Sequence, residues 1–181
     1  MVIENTRSVM ELPGEVDCDF VMQKIMELKN VVVVNIANSP EGGDVLFTLE
    51  NLRTLLAAGT RKLYVEAMEE KQYGALMGQH IARLLLAIVQ LEEQLRAQYI
   101  TDLFASTSDL LFQLQNLVVL LTCLALQKKH TQLSESLETL GQLQEQLGNT
   151  VFFLEDNVRC LDDLQYEIVP CLQKIKRQLK K

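Results

Sequence analysis

The sequence predicts an all-α protein in which short N-terminal helices and a helical bundle precede a long C-terminal coiled coil. Prolines occur only at positions 13, 40 and 170, so 129 consecutive residues contain none. Apolar residues recur at steps of four and three along most of that span. A hydrophobic share of 48% is typical of a folded core. We expect more than about 65% helix and less than about 8% strand.

Three segments are expected: a flexible N-terminus at 1–16, a helical region at 17–105, and a helical hairpin with coiled coil at 106–181. Asp17 or Asp19 can cap the first helix, because a carboxylate accepts hydrogen bonds from the free N–H groups of a first turn. The stripe of this helix would extend through the four valines at 31–34, with apolar positions Val21, Ile25, Leu28, Val32 and Ile36.

A strand is the alternative for the four valines, because β-branched residues favour extended backbone. The other β-rich run that we identify is short, at 45–47, so the alternative is a hairpin of 29–38 and 45–47 across the loop at 39–44. A hairpin alone is marginally stable in water. We therefore favour the helix and leave the hairpin open.

Two more helices are predicted before residue 105. Asp44 is placed to cap a helix that ends at Gly59, and Thr60 is placed to cap a longer helix that runs to about residue 98. Gly74 and Gly78 in the longer helix indicate a bend or a close helix crossing, of which we favour the crossing. The apolar residues of this helix have heptad spacing: Met77, Ile81, Leu84, Ile88, Leu91 and Leu95.

The strongest pattern is C-terminal. A helix is predicted to start at 106–109. Further along, from Leu126 to Leu179, a stripe of mostly apolar residues recurs at alternating steps of four and three, which is an unbroken heptad repeat. An ordinary amphipathic helix loses this phase, since 3.6 residues per turn drifts by about 20° per heptad. The stripe predicts a coiled coil, with candidate breaks or kinks at 127–132, 148–150 and Pro170. Its apolar members are the expected partner interface: Leu126, Leu133, Leu137, Leu140, Leu147, Val151, Leu154, Val158, Leu161, Ile168, Leu172, Ile175 and Leu179.

This interface is expected to bind helices of other chains, in a hetero-oligomer rather than a homo-oligomer. So long a stripe leaves more apolar surface than short N-terminal helices can cover, and soluble monomers rarely expose such patches. Residues 151–181 are therefore predicted to pair with a partner helix, and their deletion is expected to release the partner while the N-terminal helices stay folded and soluble. Three polar residues on the stripe either set its register or lie where the helices splay: His130, Gln144 and Gln165.

The chain is acidic, with a net charge of −7, so we expect no nucleic-acid binding. Its last eleven residues are the exception, because they hold five basic side chains and no acid: Lys174, Lys176, Arg177, Lys180 and Lys181. These residues either contact an acidic partner, a microtubule or a membrane surface, or form a solvated helix end that complements the helix dipole.

A reducing compartment, cytoplasmic or nuclear, is expected. The cysteines at 18, 123, 160 and 171 have no CxxC pairing, and we find no secretory leader pattern. The most apolar stretch, 110–126, is shorter than the about 20 residues that cross a bilayer and is interrupted by Gln113, Gln115 and Asn116. We therefore expect no transmembrane segment.

Catalysis, metal binding and cofactors are not expected. The sequence has no nucleophile elbow, phosphate-binding glycine loop or dinucleotide fingerprint. Neither His80 nor His130 has ligands at metal-binding spacing. The adjacent acidic pairs at 69–70, 92–93 and 162–163 are interpreted as solvated helix surface, since helix neighbours point about 100° apart.

The layout, compact helices followed by a coiled coil, resembles that of small subunits in spindle, kinetochore, centrosome or vesicle-tethering complexes, without a shared motif. It implies a non-enzymatic scaffold subunit that assembles through coiled-coil helices. The alternative is a self-contained helical bundle, a regulator or chaperone that presents a hydrophobic groove to a partner helix. The mass of the isolated chain in solution separates the two, since an obligate subunit is not expected to behave well alone.

Overall fold

A computed structural model describes residues 6–14, 16–97, 103–154 and 157–180, with only the backbone described at 103–104 and 153–154. Helix makes up 69% of the structure, which confirms the prediction of a mostly helical chain. A four-stranded antiparallel sheet is also present, so the prediction of a purely α-helical fold with very little strand is wrong.

The first half of the chain alternates strands and helices: β1 (Thr6–Glu11), α1 (Cys18–Met26), β2 (Val31–Ala37), β3 (Val45–Leu46), α2 (Leu49–Ala57) and β4 (Lys62–Glu69). The second half is helical: α3 (Glu70–Arg96), α4 (Leu103–Lys128), α5 (Thr131–Asn149), a π-helical turn (Thr150–Leu154), α6 (Asn157–Asp162), a π-helical segment (Asp163–Ile168) and α7 (Val169–Gln178). The segment predicted to be a flexible N-terminus thus contains β1.

Two compact units are formed. The first comprises Met1–Tyr73 and Cys123–Lys129, and the second comprises Gly74–Thr122 and His130–Lys181. In the first unit the strand order is β1-β4-β2-β3, with every pair antiparallel. The helices α1 and α2 pack against one another, and their buried residues join those of β2 and β4 in one hydrophobic core.

The four valines form β2, so the predicted helix through them is wrong. Val32 and Val33 are both buried, and β2 pairs with β4 from Val31 to Ala37 with a register shift at Val34. The hairpin alternative is observed in part, because β3 pairs with β2 at Asn35 and Ile36. Its instability in isolation is resolved by β4, which supplies the long partner that we did not identify.

Strand β4 lies in the segment that we assigned to the start of a long helix. Its residues alternate as in a strand, with Leu63, Val65 and Ala67 buried and Tyr64 and Glu66 half-exposed. Glu70 then begins α3 directly, so no loop residue separates strand from helix. Thr60 therefore precedes a strand and is not the N-cap of a helix, and its hydroxyl donates to the Leu55 carbonyl in the last turn of α2 at 2.6 Å.

The polar side chain of Gln127 completes the pairing of β2. Its Nε2 donates to the Val33 carbonyl at 2.9 Å, and its Oε1 accepts from the Val33 N–H at 2.8 Å. Val33 needs this partner because β3 pairs only with Asn35 and Ile36. A side-chain amide thus takes the place of a strand where β3 is too short.

Local capping signals are partly confirmed. Asp17 caps α1 by accepting from the Phe20 N–H at 2.8 Å, and Gly59 follows the end of α2 at a φ of +76°. The α2 cap is Thr48 rather than Asp44, since the Thr48 hydroxyl accepts from the Asn51 N–H at 3.0 Å. Asp44 instead forms an ion pair with Arg7 at 2.7 Å.

The second unit is a bundle of antiparallel helical segments. We call residues 157–178 the return segment. The Thr150 hydroxyl, just after α5, donates to Asp163, the Cys171 thiol donates to the Ser136 carbonyl, and the Gln178 amide donates to the Gln132 carbonyl. These contacts move towards the start of α5 as the return segment proceeds, so the two run in opposite directions. The start of α3 lies near the end of α7, since a Cβ on Gly74 would be 3.3 Å from the Leu179 carbonyl oxygen. The expected close approach is thus observed at Gly74 as a contact between helix ends, whereas a Cβ on Gly78 would meet nothing within 4 Å.

The long C-terminal coiled coil is not observed. Asp163 accepts a hydrogen bond from the Thr150 hydroxyl, just after the end of α5, so the chain reverses direction between Thr150 and Asp163. Pro170 lies in the first turn of α7, directly after the π-helical segment, where its missing N–H removes one helical hydrogen bond. The stripe therefore belongs to two antiparallel segments of one bundle, α5 and the return segment.

Candidate partner-binding surface

The heptad residues of the second unit form its core. All six heptad positions of α3 named above are buried, as are Leu110, Leu114, Leu117 and Leu121 on α4. The a and d positions of antiparallel helices meet at the centre of a bundle in the same way as in a coiled coil. The heptad pattern in the second unit therefore corresponds to residues that are buried between helices of the same chain.

Most of the expected interface residues lie in this core. Eight of them are buried: Leu133, Leu137, Leu140, Leu147, Val151, Ile168, Leu172 and Ile175. Leu161 and Leu179 are half-buried, and Val158 is 69% exposed. Leu126 belongs to the first unit and is 38% exposed, while the side chain of Leu154 lies outside the described residues.

The three polar seam residues each have a partner within the chain. His130 caps α5, because its Nδ1 accepts from the Leu133 N–H at 3.3 Å. Gln144 donates to the Leu111 carbonyl at 3.2 Å, and Gln165 accepts from the Arg96 guanidinium at 3.1 Å. Their contacts join α5 to α4 and the π-helical segment to α3.

A buried carboxylate was missed by the sequence analysis. Asp163 is only 7% exposed, and it accepts hydrogen bonds from Gln146 at 2.9 Å and from the Thr150 hydroxyl at 3.0 Å. Its neighbour Asp162 is exposed, so the two carboxylates have different environments. The interpretation of this pair as solvated surface is therefore wrong for Asp163, and no local pattern distinguished it from Asp162.

The basic residues at the C-terminus are on the surface. Lys174 and Arg177 line a shallow cleft of about 370 Å³ with Gln132, Glu135 and Gln178. Lys176 is half-buried and Lys180 is exposed, whereas Lys181 lies outside the described residues. The cleft carries both signs of charge.

Three of the four cysteines have a thiol pKa above the ordinary value. Burial raises the pKa of Cys123 to about 11 and also raises the pKa of Cys171. Cys18 lines a cavity of about 560 Å³ with Arg53 and Arg61; burial raises its pKa and Arg53 opposes that effect. Among the described residues, no group of three histidine, cysteine or acidic side chains is placed to hold a metal ion.

The outer face of α3 carries a second stripe at heptad spacing. Its members are all exposed, and we name them the α3 outer stripe: Ala75, Gln79, Ala82, Leu86 and Val89. Leu86 is 60% exposed and Val89 is 47% exposed. Arg83 is the one charged residue between Lys71 and Glu92, so the stripe is a weakly charged surface.

A third large apolar side chain lies on the neighbouring helix of the sequence. Phe112 of α4 is 67% exposed, and α4 has no charged residue between Asp109 and Lys128. Leu86 and Phe112 lie at similar distances along the chain from the facing ends of α3 and α4.

Two helices are long and apolar enough to cross a membrane by length and composition, Glu70–Arg96 and Ala105–Lys128. Their most apolar windows are 28% and 39% buried within the structure. Core helices of soluble proteins meet the same criterion, so this property is weak evidence for a membrane span.

No protein-family model, curated protein or solved structure was found to match this chain.

Proposed function

We propose that this protein is a non-enzymatic adaptor that binds a helix of a partner chain on the α3 outer stripe. The exposure of Leu86 and Val89 on a nearly uncharged helix face supports the proposal. Solvent-exposed large apolar side chains in a row are typical of protein-interaction surfaces. The protein then resembles the bundle alternative more than the coiled-coil subunit.

The spacing of the stripe suits a helical partner. Ala75, Ala82 and Val89 occupy one heptad position, and Gln79 and Leu86 occupy the other. Small residues allow a close approach of a second helix, while Val and Leu fill the holes between its side chains. The partner therefore contributes one amphipathic helix, in a complex of different chains inside a reducing compartment.

The proposal names no cellular process. The likeness to spindle, kinetochore or tethering subunits depended on a long C-terminal coiled coil. The structure has a helical bundle in that part of the chain, so this likeness does not support the proposed function. The basic C-terminus supplies a second, weaker contact for an acidic partner, since Lys174, Arg177 and Lys180 are exposed.

Substitution on the stripe tests the proposal. Leu86→Lys places a charge at the centre of the proposed interface, and the partner that co-purifies with the tagged full-length chain should be lost. Gln142→Lys adds the same charge at an exposed position of α5 and should leave the partner in place. Circular dichroism checks that both variants stay folded.

Retention of the same partners by both variants would contradict the proposal. A photoreactive residue at position 89 should crosslink to the partner, and the same group at position 142 should not. Binding of the wild-type chain to neutral lipid vesicles, abolished by Leu86→Lys, would instead assign the stripe to a membrane surface.

A further inference from the structure

Strand β1 is a free edge of the sheet. Among the described strands it pairs only with β4, and five of its six residues are exposed. The opposite edge is formed by β3, which has two residues. An edge strand of six residues presents a row of N–H and C=O groups that can pair with another strand.

The hydrogen-bond pattern shows which residues of β1 face outward. Leu12 and Arg61 are directly opposite in the β1–β4 register, and the Leu12 N–H donates to the Arg61 carbonyl at 2.9 Å. In an antiparallel ladder, hydrogen-bonded pairs alternate with pairs that are not hydrogen-bonded. The backbone groups of residues 6, 8 and 10 therefore also bond β4. Arg7, Val9 and Glu11 therefore direct their backbone groups to the free edge.

The charges on these three residues favour one register for the pairing of two copies. An antiparallel partner strand must place its outward residues opposite those of β1. With a two-fold axis at Val9, Val9 faces Val9 of the second copy and each Arg7 faces Glu11 of the other chain. An axis at Arg7 or at Glu11 would place like charges opposite one another, which is unfavourable. An axis at Ser8 or at Met10 would place Arg7 or Glu11 opposite Val9, where the charge has no opposite charge to face.

We propose that two copies of this chain pair through their β1 edges, antiparallel about Val9, to form one continuous sheet. The side chains that would meet are accessible: Val9 is 51% exposed, and the Arg7 and Glu11 side chains are 44% and 77% exposed. Arg7 and Glu11 also form ion pairs with Asp44 and Lys62 in the same chain, which are surface contacts that a second partner can join. The inference uses the first unit only and does not depend on the α3 outer stripe.

A charge-swap series tests the pairing on the full-length chain. Sedimentation equilibrium from about 1 to 200 µM should show a dimer for the wild type. Glu11→Arg should raise the dissociation constant at least about tenfold, because two like-charge pairs then face each other. The double variant R7E/E11R restores opposite charges and should return the constant to within about threefold of the wild-type value.

A backbone substitution provides the second variant. Val9→Pro removes an N–H that faces outward and makes no bond to β4, so dimerisation should be lost while the circular dichroism spectrum is kept. A wild-type chain that stays monomeric at all concentrations overturns the inference. So does a dimer that is equally strong in Glu11→Arg, Val9→Pro and the wild type, because its interface then lies elsewhere.

Discussion

Gln127 shows how one side chain outside a sheet stabilises a strand within it. The side chain is only 4% exposed and satisfies both backbone groups of Val33. Gln127→Leu keeps the approximate size but leaves the Val33 N–H and C=O without a partner. We expect a loss of about 1 to 3 kcal/mol in the free energy of unfolding, measured by urea denaturation.

The matched control is Gln115→Leu, the same change at an exposed position of α4. It should alter the free energy of unfolding by less than about 0.5 kcal/mol. Equal losses in the two variants would show that the Gln127 amide does not support β2.

The four thiols should differ in their reaction with a thiol-specific reagent. The thiolate is the reactive form, and Cys123 combines burial with a pKa of about 11. Cys18 is half-buried beside the 560 Å³ cavity, whereas Cys160 is fully buried and Cys171 is 9% exposed. Native alkylation followed by peptide mass spectrometry should label Cys18 first, and Cys123 and Cys160 only after unfolding. Equal labelling of all four cysteines in the native protein would contradict this burial pattern.

At the scale of elements, Asp163 ties the π-helical segment to the end of α5. Asp163→Ala removes the acceptor for Gln146 and Thr150, both on the facing segment. We expect a destabilisation of about 1 to 3 kcal/mol in thermal or urea unfolding. Asp162→Ala is the control, because Asp162 is exposed and should contribute little. The role assigned to Asp163 fails if the two substitutions have the same effect.

The heptad stripe should divide into two classes of position. Leu140 is fully buried in the bundle, whereas Val158 occupies the same stripe and is 69% exposed. Leu140→Asp should cost several kcal/mol, about 3 or more, because it buries an unpaired charge. Val158→Asp should change stability by less than about 1 kcal/mol.

A continuous coiled coil would predict a different result for this pair. Both residues would then lie in one interface and both substitutions would be severe. Denaturant midpoints of the two variants, measured under the same conditions, distinguish the bundle from the coiled coil.

At the scale of the whole molecule, the C-terminal segment completes the second unit. Leu164, Ile168, Leu172 and Ile175 are buried and line the core that α5 shares with α7. Removal of residues 163–181 exposes Leu133, Leu137 and Leu140, so helix content should fall by more than the deleted residues and the soluble yield should drop. Circular dichroism and size-exclusion chromatography measure both effects.

This expectation reverses the one drawn from the sequence, in which the chain without residues 151–181 stays folded and soluble. Removal of residues 180–181 alone is the control and should leave both the helix content and the soluble yield unchanged. A soluble monomer after the longer deletion, with helix loss limited to the deleted residues, would favour the coiled-coil interpretation.

Local features were predictable where neighbouring residues form the contact. The Asp17 cap, the Gly59 helix end and the loop at 39–44 depend on groups within a few residues of one another. The heptad spacing of α3 correctly identified its buried face, because that face is set by 3.6 residues per turn. Of the candidate interface, the sequence identified which side chains are apolar but not which remain exposed.

The sequence by itself determined a mostly helical chain, its apolar stripes and several helix ends. Tertiary structure decided that the four valines form a strand, because their partner β4 is distant in sequence and a strand is stable only when its backbone groups are paired. It also decided that the C-terminal stripe is covered by α7 and the other helices of the same chain. Periodicity specifies which face of a helix is apolar, whereas a reversal of the chain determines whether that face is buried within the molecule or left for a partner.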